Sequence, residues 1–281
     1  MNNIIWLILD SCRYDNFIRA KTPHFDRIGD TQKRYAYASW TAPSHYVFLM
    51  GLLPHQAPRG ILAAHVYREE YQRWQQRIGK DAGIDPDHLL PSMNIVNFLN
   101  KTGYRTMARV SLPVLNPETA LSRYFYDYRL LDTHNGFREI IGEINFLPDQ
   151  PTFYFLNIGE THYPYMLDDP GLPHISGVHG VLKDIREVEK EREAGSSPEN
   201  ASLFTTAQLQ TLKAQQVKAV EYCDELFAEL IKKCPPETYV IITSDHGELF
   251  GEDGCFGHGP VVHRKVFEVP LIEGPLDHQI S

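Results

Sequence analysis

The chain is poor in cysteine, with four in 281 residues: Cys12, Cys223, Cys234 and Cys255. None stands in a C-x-x-C pair, so neither a zinc knuckle nor a disulfide framework is indicated, and reduced intracellular thiols are expected. Long apolar runs are lacking too. The first, Ile4 to Leu9, is far too short for a membrane span or a signal-peptide core, and no cationic stretch precedes it. A cytoplasmic protein with no membrane span is therefore expected. Positive charge is also in deficit. Lys and Arg total 27 against 36 Asp and Glu, a formal net charge of −9, and such a field repels nucleic acid and anionic membrane. A locally positive, metal-bearing pocket can still hold a small anionic ester inside that acidic shell. There are no internal repeats and no long low-complexity tract.

What remains is an ordinary globular composition, 42% hydrophobic and 22% charged, with enough apolar mass for a proper core. The length fits one large domain spanning 1–281. Oligomeric state is left open.

Ile4-Ile5-Trp6-Leu7-Ile8-Leu9 is apolar on both faces and ends in Asp10. Phe153 to Ile158 is a second such run and stops at Gly159-Glu160-Thr161-His162. Tyr239 to Thr243 is a third and stops at Ser244-Asp245-His246-Gly247. Runs of this kind read as buried parallel strands, and ligands bind outside the carboxyl ends of such strands. Between them lie helical patterns: residues 92–102, with Ser92 as N-cap and Gly103 as stop, leading into a strand from Tyr104 to Val110, and the amphipathic stretch 206–233, closed by Cys234-Pro235-Pro236. Alternating strands and helices predict an α/β fold, a three-layer α/β/α sandwich around a mostly parallel sheet. Residues 55–90 and 180–205 break the pattern and read as surface insertions.

Three segments carry chemistry. Asp245-His246 follows a buried strand and offers a carboxylate and an imidazole together, a mixed set that suits zinc or manganese better than calcium or magnesium. His258 follows on a Gly-rich loop; on local grounds the segment could equally be a turn. Asp10, at the tip of a central strand, is costly unless paired, metal-bound or capping a helix. In Ser39-Trp40-Thr41-Ala42-Pro43-Ser44-His45, Thr41 could be a helix cap or a hydroxyl nucleophile in a helix N-terminal anion cradle, activated by a metal.

In order and spacing these segments resemble the alkaline phosphatase superfamily, in its sulfatase-like branch. The shared pattern is a strand ending in Asp, a nucleophile in [C/S/T]-x-P-S-[R/H], a His-x-Pro-[Tyr/Phe] segment (here Thr161-His162-Tyr163-Pro164-Tyr165), then Ser-Asp-His-Gly-Glu with a later His and Lys. The resemblance implies a metal held by Asp10, Thr41, Asp245 and His246, with Thr41 as nucleophile. It implies phosphoryl-binding or proton-transferring roles for His162 and His258, which could also hold a second metal. Ser44, His45 and Lys265 would contact or orient the substrate and nucleophile. Sulfatases usually continue into a smaller C-terminal subdomain, which is not expected here.

The departures from sulfatases point to phosphorus. Sulfatases oxidise a Cys or Ser to formylglycine, and threonine does not give that aldehyde. Ser11 replaces a usual second Asp, His246 a common Asn, and His45 the Arg that supports formylglycine. A Thr nucleophile instead resembles the phosphoethanolamine and phosphoglycerol transferases and the nucleotide phosphodiesterase branch. The expected activity is a metal-dependent hydrolase or transferase cleaving a phosphomonoester, phosphodiester or phosphonate. Sulfuric ester hydrolysis is one alternative, and a catalytically degenerate, ligand- or partner-binding member is another.

Overall fold

The computed structural model describes residues 1–54, 76–77, 94–173 and 203–276. A seven-stranded sheet organises them, in the order β2-β9-β6-β1-β5-β3-β4. Its strands are β1 (Asn3–Leu9), β2 (Gln32–Tyr35), β3 (Arg105–Val110), β4 (Asp127–Leu130), β5 (Thr152–Ile158), β6 (Thr238–Thr243) and β9 (Glu268–Pro275). β1 pairs in parallel with β5 and β6, and β3 pairs in parallel with β5 and β4. Only β9 breaks the direction, running antiparallel to both β6 and β2. A short hairpin of β7 (Leu249–Phe250) and β8 (Phe256–Gly257) stands apart.

β1 shows why the apolar runs become central strands. Every residue in it is buried. Ile5, Leu7 and Leu9 enter one apolar cluster, and Ile4, Trp6 and Ile8 enter another on the opposite face, as the two-residue period of a strand requires. The first cluster is closed by α1 (Tyr14–Phe17), α4 (Phe137–Glu143) and the long α5 (Thr206–Ile231), which contributes Val220, Cys223, Leu226, Phe227 and Leu230. The second is closed by α2 (Thr41–Leu49) and α3 (Ile95–Lys101), through Phe48, Leu49, Ile95, Val96, Phe98 and Leu99. Helices on both faces of a mostly parallel sheet make the expected three-layer α/β/α sandwich.

Helix boundaries follow local chemistry. α3 is capped by Asn94, whose side chain accepts from Val96 N–H at 2.9 Å; the expected cap, Ser92, lies outside the described residues. α5 opens on a capping box between Thr205 and Gln208. Most of both predicted insertions lies outside the described residues. Of 55–90, Arg77 is described, and it is buried and paired with Glu273 of β9 at 2.5 Å. Of 180–205, Phe204 is described and buried, with its ring centroid 4.7 Å from that of Phe256. All four cysteines are free and buried. Among the described residues no helix is long and apolar enough to cross a membrane. After β9 no further sheet follows among the described residues.

Candidate metal centre and active site

Register decides which side chains meet. Leu9 of β1 lies opposite Ile158 of β5, and Ile8 lies opposite Thr243 of β6. Asp10, the Gly159–His162 segment and the Ser244–Glu248 segment therefore leave the sheet side by side at its carboxyl edge. Asp10, Asp245 and His246 are fully buried, and their ligand atoms lie within 4.8 Å of one another. Among the described residues they are the one such group; His162 and His258 gain no third close donor.

The turn after β1 shapes this cluster. Ser11 adopts a left-handed backbone (φ 59°), uncommon for a residue with a side chain. That turn aims Ser11 N–H at Asp245 Oδ1 (3.1 Å) and Cys12 N–H at Ser244 Oγ (2.9 Å). Asp10 accepts from Asn157 Nδ2 at 2.9 Å and from Ser11 Oγ at 3.2 Å. Asp245 Oδ1 also accepts His246 N–H at 3.0 Å, while its Oδ2 is buried with no hydrogen-bond partner.

Burial disfavours charge on both carboxylates. At Asp10 it is outweighed by His162, His246, His45 and the Asn157 bond, which hold the pKa at about 2. At Asp245 burial dominates and the Asp10 charge adds to it, raising the pKa well above the usual carboxylate range. Without a cation the pair therefore resists carrying two charges. An orphaned carboxylate oxygen beside a second carboxylate and an imidazole is a donor set that fits a divalent ion.

His246 supplies the nitrogen. Its Nδ1–H donates to the Gly247 carbonyl at 2.9 Å, so Nε2 carries the lone pair. Burial, followed by the neighbouring His258, pushes its pKa well below that of free imidazole. Thr41 Oγ1 lies 3.2 Å from this Nε2 and donates its hydroxyl to it. The expected nucleophile thus touches the expected metal ligand directly.

Thr41 is the first residue of α2, and the cap position belongs to Trp40, which makes no side-chain cap bond. The hydroxyl is therefore not spent on capping. The helix N-terminus favours an anion beside it, and Pro43 is tolerated within that first turn. One turn along, His45 Nδ1–H donates to the Thr41 carbonyl at 2.8 Å, and burial lowers the His45 pKa to about 4. His45 thereby anchors the backbone of Thr41. Ser44 Oγ donates to Ala38 O at 3.4 Å, bracing the approach to the helix. Ser39 Oγ donates to Gly259 O (2.5 Å) and Gly259 N–H returns to Ser39 O (3.1 Å), which ties this approach to the His258 loop.

His258 packs at a tilt against His246 with ring centroids 4.2 Å apart, and the His162 ring meets His258 edge-on at 5.4 Å. His258 Nδ1–H donates to Glu248 Oε1 at 2.8 Å, and Glu248 Oε2 accepts the Tyr165 hydroxyl at 2.6 Å. His162 Nδ1–H donates to Tyr163 O at 3.0 Å. Both rings are thus held in place through Nδ1.

Lys265 is engaged elsewhere. Its Nζ bonds Asp15 at 2.9 Å, and Asp15 is gripped by Arg13 at 2.7 and 2.8 Å. Arg13 also bonds Glu252 and the Glu248 carbonyl, so this network buttresses the Asp-His-Gly-Glu turn from behind. Gly247 is required there, because a Cβ would come 2.1 Å from the Lys265 carbonyl oxygen.

Three contributors escaped the sequence reading, Asn157, Gln216 and His134, while Glu248 and Tyr165 stood in the quoted motifs without an assigned role. Gln216 is fully buried on α5, and its amide donates to Ser11 O and Thr161 O, both at 3.0 Å, clamping the ends of β1 and β5. A lone amide in an apolar strand could have flagged Asn157, and a glutamine on the apolar face of a helix could have flagged Gln216. For His134 no local pattern gave a signal. It packs edge-on against His162 at 5.1 Å, and burial, then His162, lowers its pKa to about 4.

This arrangement can be set beside known proteins. The chain matches the Sulfatase family over residues 2–272. It belongs to the sulfatase family. Solved structures share the fold at low identity. The C-terminal periplasmic domain of EcEptC from Escherichia coli, in complex with Zn, is 14% identical with a TM-score of 0.53, covering 98% of this chain and 73% of that one. The phosphonate monoester hydrolase SpPMH from Silicibacter pomeroyi is 15% identical with a TM-score of 0.55, covering 98% and 68%. A 2-O GAG sulfatase is 11% identical with a TM-score of 0.58, covering 98% and 64%. A search of curated proteins gave no match. The chain is thus a sulfatase-family member by sequence, and the solved structures share its fold.

Proposed function

We propose that this chain cleaves a phosphate-type ester (phosphomonoester, phosphodiester or phosphonate) by in-line displacement at Thr41 Oγ1. The observation that carries this is the 3.2 Å contact between Thr41 Oγ1 and His246 Nε2, within a buried Asp10–Asp245–His246 cluster at a helix N-terminus. A divalent ion bound there would lower the hydroxyl pKa and neutralise a phosphoryl oxygen. The mixed nitrogen and oxygen donors favour zinc or manganese.

The protein's own residues do the rest. His45 holds the Thr41 carbonyl and so fixes where Oγ1 points. Thr41 Oγ1 forms the new bond to phosphorus as the bond to the leaving oxygen breaks, and its proton ends on the leaving alcohol by way of the neighbouring imidazoles. His162 and His258 present fixed imidazoles to the phosphoryl oxygens and the leaving oxygen. Water or an acceptor alcohol then takes the phosphoryl group from Thr41. Threonine at the nucleophile position is why phosphorus is favoured over sulfur within this family.

A panel of aryl phosphate monoesters, diesters, phosphonates and sulfates, assayed with wild-type and Thr41→Ala protein, tests the reading. Turnover of phosphorus esters that falls at least about 10³-fold in the variant supports it. Faster turnover of sulfates than of every phosphorus ester would replace it with sulfuric ester hydrolysis. Failure to take up any transition metal would favour a non-catalytic binding role.

A further inference from the structure

Asn157 is an amide in an otherwise apolar strand. Along β5, Phe153 and Phe155 enter the cluster closed by α2 and α3, while Tyr154, Leu156 and Ile158 enter the opposite one. The two-residue period therefore turns Asn157 to the α2 side, where Ile4, Trp6 and Ile8 of β1 also point, with Asp10 next in line. Ile8 lies opposite Asn157 in the parallel register, so Asp10 is its diagonal neighbour. Asn157 Nδ2 donates to Asp10 Oδ2 at 2.9 Å, and both side chains are fully buried. Asn157 Oδ1 has no partner. A buried amide left half unsatisfied costs stability, and the one side-chain bond it makes is to a candidate metal ligand.

Each of the three ligand side chains has one atom anchored and another turned inward. Asp245 Oδ1 accepts Ser11 N–H and His246 N–H, and its Oδ2 lies 3.4 Å from His246 Nε2. His246 is anchored through Nδ1 on the Gly247 carbonyl, which leaves Nε2. Asp10 Oδ2 is anchored on Asn157, and its Oδ1 lies 3.9 Å from the same Nε2. Ser11 Oγ takes one lone pair of that Oδ1 at 3.2 Å, and a carboxylate oxygen has a second to give. The anchors of Asp245 and His246 are backbone groups. The anchor of Asp10 is a side chain, and an uncharged one, so it holds a carboxylate oxygen without placing a competing positive charge beside the site.

On the metal reading above, we infer that Asn157 is a positioning residue that keeps Asp10 a one-oxygen ligand. By occupying Oδ2 it leaves Oδ1 alone to a divalent ion, so that Asp10, Asp245 and His246 each offer one atom. Few, single-atom donors are what zinc-type ions take. Without the amide both Asp10 oxygens are free, and the site loosens toward the higher coordination numbers of harder ions.

The test is uptake of cobalt(II) by chelator-stripped wild type, Asn157→Leu and Asn157→Val. Cobalt(II) is a zinc-like ion whose visible bands are strong with four ligands and weaken as the number rises. Leucine matches the amide in size and valine suits a strand, and metal-free melting curves show which variant folds. A folded variant should bind cobalt about 10- to 100-fold more weakly, the loss usual when a ligand's supporting partner is removed. At saturation its bands should also be weaker than those of wild type. Equal affinity, or weaker affinity with unchanged bands, overturns the assignment and leaves the metal reading standing. Failure of both variants to fold overturns it too, because the amide would then serve the fold itself. Wild-type protein that takes up no cobalt would sink the metal reading and the assignment together.

Discussion

Glu248 Oε1 accepts a hydrogen bond from His258 Nδ1 at 2.8 Å, and its other oxygen is held by Tyr165 at 2.6 Å. This relay fixes which nitrogen of His258 faces the site. The carboxylate also sits in the turn that carries Asp245 and His246, so one short segment sets both the candidate metal ligands and the imidazole next to them.

Glu248→Gln and Tyr165→Phe should therefore lower kcat by about 10- to 100-fold, as removal of a ligand's supporting partner generally does. The Tyr165 variant should be the milder, because Glu248 still meets His258. Steady-state kinetics on the best phosphorus ester reads this out, and unchanged kcat in both variants would remove the relay from the mechanism.

The carboxylate pair predicts opposite effects with and without metal. Asp245 has its pKa raised, so in the metal-free fold its ionisation is lost stability as pH rises above the ordinary carboxylate range. Asp245→Asn should thus melt at a higher temperature than wild type in metal-free buffer at pH 8. Adding zinc or manganese should raise the wild-type melting temperature and leave the variant unmoved, since a bound ion stabilises only the fold that holds it. Equal metal-dependent shifts in both proteins would place the ion elsewhere.

Glu160 gives a pH window. Burial raises its pKa to about 7, against which its bonds to Phe137 N–H and its own backbone act, and its Oε2 has no partner. A carboxyl with a raised folded-state pKa is at its best while protonated, and stability falls as pH climbs from its unfolded value through about 7. Glu160→Gln should match wild type near pH 4 and become the more stable protein by pH 8, by up to about 3 kcal/mol. Denaturant melts across that range check this; a difference that does not change with pH would contradict it.

How much of this was legible beforehand varies by residue. β1, β5 and β6 were plain because five to seven buried residues in each include a long apolar run. β2 and β4 were not, because their residues are mostly half-buried and polar, and pairing rather than periodicity makes them strands. Asp10, Asp245 and His246 stood out because each follows a buried apolar run, whereas Thr41 was singled out by the family resemblance, local evidence leaving it open between a helix cap and a nucleophile. Lys265 was read as facing substrate, and no sequence pattern could have shown that Asp15 holds it. His134 and Tyr165 gain their meaning only from the fold, which sets the loop after β4 against His162 and brings Tyr165 to Glu248, 83 residues on.

The most direct test of the central claim is the chemical state of Thr41 during turnover. Rapid acid quench of wild-type protein with a slow aryl phosphate or phosphonate, followed by peptide mass spectrometry, should find the phosphoryl adduct on the peptide carrying Thr41. The Thr41→Ala protein should show neither adduct nor turnover. Full turnover by the variant, or an adduct on another residue in wild type, would contradict the account.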